Sequence, residues 1–169
     1  PTNFPNLSMF YHVNHDEAGE AWNTRAVLAM DGAGQGELIH LEKPHMDIKY
    51  ARGTRRMQSA MLHLEDGQGN PHTVSFEPMG SFLMKGIGYG HPERRHGSYH
   101  GEELSVLRED YEPGKMPWQD PENLHIQEIA MARHQGPDGL SSEGIGAYEQ
   151  LFLGPHVPSG FKDILDGAA

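Results

Sequence analysis

The chain contains no cysteine, which excludes disulfides, thiolate metal sites and cysteine nucleophiles and leans the expected compartment toward the cytoplasm. It is also short of positive charge. Thirteen Lys and Arg face 24 Asp and Glu, for a net charge of −11, and the basic residues are scattered apart from pairs such as Arg55-Arg56 and Arg94-Arg95. Binding to nucleic acid wants a positive face, so no nucleic-acid partner is expected. No apolar run approaches the roughly 18 residues of a membrane helix, so no membrane span is expected. Asp31 to Gly36 (DGAGQG) lacks the following helix and the Lys-Ser/Thr pair of a phosphate loop, and no G-x-S-x-G elbow occurs, so neither phosphate binding of that type nor serine hydrolysis is supported. An initiator methionine and a signal peptide are missing as well, as expected of a processed chain or part of something longer.

What is present is an ordinary globular composition. At 169 residues, 36% hydrophobic and 22% charged, the chain reads as one soluble domain able to bury a core. Its periodicity is that of strands. Pro1 to Leu7 reads as an extended arm and Ser8 to Val13 as a short strand, followed by a polar loop from Asn14 to Asn23. Thr24 to Met30 and Glu37 to Lys43 flank a glycine-rich turn. Met57 to Glu65 and His72 to Glu77 form a hairpin around Asp66 to Pro71; Ala60, Leu62 and Leu64 share one face, and an incompletely polar opposite face suggests cover on both sides.

Met79 to Ile87 and Ser98 to Arg108 read as two further strands. Glu109 to Asn123, rich in Pro and Gly, is a surface connection. Leu124 to Arg133 carries helix-forming residues, yet its length and its β neighbours favour a strand with His125, Gln127, Ile129 and Met131 on one face. Gly144 to Leu153 closes the set, with Tyr148, Gln150 and Phe152 opposite Ile145, Ala147, Glu149 and Leu151. One helical turn is expected at Phe161 to Leu165. The pattern predicts an all-β fold of about 8–10 antiparallel strands with little helix, either a barrel or a strongly curved sandwich.

Reactive side chains concentrate in Gly86 to Glu103 (GIGYGHPERRHGSYHGEE), with His91, His96 and His100, Tyr89 and Tyr99, and Glu93, Glu102 and Glu103. A chain with twelve histidines also produces such a cluster by accident, as an exposed loop. A metal triad is disfavoured: His96 and His100 sit at an even separation, but His91 is odd to both. No metal and no cofactor is therefore assigned. Acid–base chemistry is better supported, because histidine titrates near neutrality and burial raises a carboxyl pKa. The catalytic candidates are His91, His96, His100, His125 and Glu149. Against this, His125 also reads as a core histidine satisfied by a neighbour, and Glu149 as a solvated outer residue. Tyr89, Tyr99, Gln127, Tyr148 and Gln150 are candidates for substrate binding, with plain core packing as the competing reading for the tyrosines. Nine methionines suit either an irregular core or a cavity for a bulky hydrocarbon.

Three segments in order, MKGIGYGHPERRHGSYHGEE, PENLHIQEIAMAR and IGAYEQLFLGPHVPSGFKDILDGA, resemble the carboxy-terminal half of bacterial hydroxyneurosporene synthase (carotenoid 1,2-hydratase)-type proteins, and more closely a bacterial branch of that superfamily. The resemblance runs from about Ala26 to the end. It implies a lipocalin-like (calycin) barrel spanning 1–169, paired with a second barrel on its amino-terminal side, and related members that hydrate isolated double bonds or guide cyclisations of large apolar substrates. The Arg-Asp-x-Ser-Trp-Gly pattern that ends the family's first half is missing here. Two functions follow as expectations. One is a hydratase, lyase or isomerase acting on a terpenoid or polycyclic substrate; the other is a non-catalytic module that holds an apolar small molecule or completes a two-barrel protein. The expected partners are an apolar ligand and either a companion domain or a second copy of the chain. Convergent His and carboxylate groups inside the barrel favour the enzyme, and a filled or apolar interior favours the module.

Overall fold

Each strand pairs antiparallel with its sequence neighbours, and the first pairs with the last, so the sheet closes on itself as a barrel. The computed structural model describes residues 1–31, 36–83, 97–102, 104, 106, 108, 110, 112, 115, 117, 123, 125–163 and 166–169, with residues 82 and 83 described in their backbone only. The strands are β1 (Thr2–Phe4), β2 (Leu7–His15), β3 (Ala21–Met30), β4 (Leu38–Tyr50), β5 (Met57–Asp66), β6 (Pro71–Leu83), β7 (His125–Gln135) and β8 (Ser141–Leu151). This is the lipocalin-like, all-antiparallel architecture, and the helical content among the described residues is a short 3-10 turn at Val157–Ser159 together with 3-10 positions at Lys115 and Asn123. No helix among them is long and apolar enough to cross a membrane.

Alternation sends Met9, Leu28, Leu62, Leu64, Val74, Phe76, Ala130 and Ala132 inward, where they form one buried cluster. Turn chemistry fixes the register of the β5–β6 hairpin: Asp66 Oδ1 accepts from the amides of Gln68 (2.8 Å) and Asn70 (2.9 Å), and Gly69 takes φ +81°. At the closure the chain uses an absence of side chains. A Cβ on Gly144 would lie 2.1 Å from the Asn3 carbonyl oxygen, so only glycine lets β1 lie this close to β8.

Several expectations change. The amino-terminal arm is β1, the strand that closes the barrel. His72 to Glu77 and the first part of Met79 to Ile87 are a single strand, β6, with a bulge between Pro78 and Gly80 that absorbs the proline's missing donor; residues 84–87 lie outside the described ones. The described residues of 98–108 form no strand: Tyr99, Leu104 and Val106 are exposed, and Gly97 and Gly101 take positive φ, because the barrel already closes without them. β5 is covered on one side, with Met61 exposed and Ser59 and His63 only partly covered on the outer face. In the tail the turn falls at Val157–Ser159, where Pro158 suits the first turn, and Phe161–Asp163 is not helical. The choice of strand over helix for the segment that became β7 is the observed one.

Candidate functional site

Call the end of the barrel at the β2–β3 and β4–β5 connections the lower end. There β3 and β4 part company. They pair only from Ala26 to Ala29 against Leu38 to Leu41, while Ala21 to Arg25 pair with β2 alone and Glu42 to Tyr50 with β5 alone. The cause lies in β4. Pro44 has no N–H to donate, Lys43 adopts φ +48°, and the β4–β5 ladder slips between Glu42 and His45, so the strand turns away from β3. At the crotch of this fork is a hollow of about 490 Å³, lined by residues including Thr24, Ala26, Leu41 and Pro44.

In the lower half, several side chains of the inner wall are only partly covered. Tyr11, Met46, Ile48 and Tyr148 point inward and pack on the core cluster, yet each stays partly accessible. Thr24, on the inward-facing set of β3, is exposed. The Tyr148 hydroxyl donates to Met46 Sδ at 3.3 Å, and its ring lies 5.7 Å from Phe76. Burial pushes the Tyr11 phenol up to about 12 and the Tyr148 phenol higher still, with Tyr50 and Tyr11 adding to the latter effect. Both therefore remain neutral hydrogen-bond donors at physiological pH. Among the described residues no group pairs with the Tyr11 hydroxyl, which is left as a polar handle on an apolar wall.

The carboxy-terminal tail closes the lower end. Arg55, buried, donates from Nε to the Asp166 carbonyl (2.6 Å), from Nη1 to the Gly154 carbonyl (3.0 Å), and from Nη2 to the Asp163 carbonyl and Asp166 Oδ1 (2.6 Å). Its guanidinium also lies 4.4 Å over the Phe161 ring. The Tyr50 hydroxyl meets Ser159 Oγ at 2.9 Å.

The candidates read from the sequence are divided by this geometry. His91, His96 and Tyr89 lie outside the described residues. His100 and Tyr99 are exposed, Tyr99 by 80%. His125 and Glu149 do come together, Nε2 to Oε1 at 2.7 Å, with Gln127 Nε2 at 3.4 Å from Glu149 Oε2. They meet on the outside of the barrel, which corrects the expectation that His125 faces the cavity: its neighbours Ile126 and Glu128 take the inward positions of β7. Tyr148 and Gln150 face inward. The Gln150 amide, however, is held by backbone, accepting from Met57 N (2.9 Å) and donating to the Arg55 carbonyl (3.1 Å).

Sequence reasoning missed Glu128, Arg56 and Ser81. Glu128 is fully buried; its Oε1 accepts from Arg56 Nε and from Ser81 Oγ, both at 2.9 Å. The available signal was parity: on a strand with His125 outward, Glu128 has to point in. Among the described residues no group of three His, Asp or Glu side chains is placed to hold a metal.

Fold and site together define an eight-stranded antiparallel barrel with a filled upper half and a forked, aromatic-lined lower half. The chain belongs to a family whose description is Family of unknown function (DUF8625), the family model matching residues 1–162. No curated protein and no solved structure matches it.

Proposed function

We propose that this barrel binds a bulky apolar small molecule in its lower half, admitted through the fork between β3 and β4, without chemistry of its own. The observation that carries the reading is the partly open inner wall of Tyr11, Met46, Ile48 and Tyr148, where apolar side chains that a packed core would seal stay accessible. The flexible thioether of Met46 in this partly buried wall suits a ligand of loose shape. The Tyr11 hydroxyl suits a ligand with one polar end. The motif resemblance to hydroxyneurosporene synthase-type proteins supports a terpenoid or polycyclic ligand.

The hydratase, lyase or isomerase reading is the weaker one. Proton transfer requires a donor within about 3 Å of the reacting carbon. The histidine–carboxylate pair among the catalytic candidates, His125 and Glu149, lies outside the barrel, and the buried Glu128 is committed to Arg56 and Ser81. Fluorescence titration with retinol and with a fluorescent long-chain fatty acid tests the proposal. Saturable binding is expected, weakened at least about tenfold by Met46→Arg or Ile48→Arg. Absence of binding by both probes, or binding unchanged in both variants, overturns it.

A further inference from the structure

The outer face of β7 and β8 carries an apolar strip on a strongly acidic protein. Ile129 is 54% exposed, Ile145 52% and Met131 38%, and Met79, at the β6 bulge, is 60% exposed beside them. In the β7–β8 ladder Ile129 stands opposite Ala147, Met131 opposite Ile145, and Arg133 opposite Glu143. Arg133 Nε bonds Glu143 Oε1 at 3.1 Å, and both side chains are well exposed. An exposed pair of this kind contributes little to folding. The strip, by contrast, is the kind of surface that association covers.

We propose that two copies of this chain associate through this face, about a two-fold axis that lies in the interface and runs parallel to the strands. Such an axis sets β7 of each copy over β8 of the other at the same height. Ile129 then covers Ala147, Met131 covers Ile145, and Arg133 of each copy meets Glu143 of the other, because these residues already share a level in the ladder. An axis across the strands reverses the heights and sets Glu143 over Glu149, like charge on like. Charge thus selects one arrangement. It also selects a second copy as the occupant, since a single row carries both members of the cross-pair and is complementary to itself.

Sedimentation velocity over a dilution series tests this with the full chain. The wild type sediments as a concentration-dependent dimer. Arg133→Glu alone and Glu143→Arg alone each sediment as monomers, because each puts like charges in contact; mixing these two variants restores a dimer containing one of each. Ile145→Glu is monomeric with an unchanged circular-dichroism spectrum. Should it fail to fold, the charge variants still decide the question, since their mixture recovers association only if the face pairs as described. A wild type that is monomeric at every concentration overturns the proposal, and would leave the strip to a companion domain. Folded charge variants that dimerise like wild type overturn it too.

Discussion

His72 and His134 stack inside the upper end of the barrel, rings 5.4 Å apart and 18° from parallel, with His72 Nδ1 3.1 Å from His134 Nε2. One nitrogen must donate and the other accept, so the contact cannot survive protonation of both rings. Burial holds both below the ordinary 6.5. For His134 the neighbouring His72 lowers it further, while Asp66 and Asp138 oppose the effect at His72, and Asp138 at His134. With folded values below the unfolded one, the unfolded chain binds more protons in that window. Stability is full above 6.5 and falls as pH drops through it toward the depressed folded values. Thermal midpoints measured between about pH 8 and pH 5 should decline on acidification, and a His72→Gln, His134→Gln double variant should flatten that decline; an unchanged slope would show that the pair does not titrate. Arg55 is the other decisive single residue. Arg55→Met removes the shared donor of the four tail carbonyls of Phe152, Gly154, Asp163 and Asp166, and of the Asp166 carboxylate. The expected loss is about 3 kcal/mol in denaturant unfolding, with proteolysis entering the tail first, and Arg55→Lys should not rescue it because one ammonium cannot span that set.

Among the elements, β1 is the smallest and closes the ring. Gly144→Ala drives a methyl against the Asn3 carbonyl, so β1 should lift and the Ala147 amide, now bonded to the Pro1 carbonyl at 3.0 Å, should exchange faster; the expected cost is about 1–3 kcal/mol. Glu149→Gln, by contrast, alters an exposed partner of His125 and should shift stability by less than about 1 kcal/mol and leave ligand binding unchanged. Alternation made β5, β7 and β8 legible from their residues, including Tyr148 and Gln150 on one shared face of β8. β1 was not legible because three residues carry no period, and its place depends on glycines 140 residues away in sequence. The fork was hidden for a related reason. Pro44 ends a pattern read from the sequence, whereas in three dimensions it lets β4 leave one neighbour while keeping the other. His125 was placed on the correct face with its β7 companions, but whether that face looks inward depends on the barrel's closure.

As a whole molecule the barrel is divided by its packing. Its upper half is packed with Leu, Val, Phe and Ala, its lower end is closed by a tail pinned on Arg55, and between them the wall opens at the fork. A chain without cysteine allows that opening to be probed directly. Met46→Cys places a single thiol on the inner wall beside the fork, and Leu62→Cys places one in the sealed core, where the native side chain is 0% exposed. A small maleimide should label the folded Met46→Cys protein and leave folded Leu62→Cys unmodified, and retinol should slow the labelling at position 46. A thiol at position 46 as inert as the one at 62, or one that reacts equally fast with and without retinol, would contradict a ligand chamber reached through the fork.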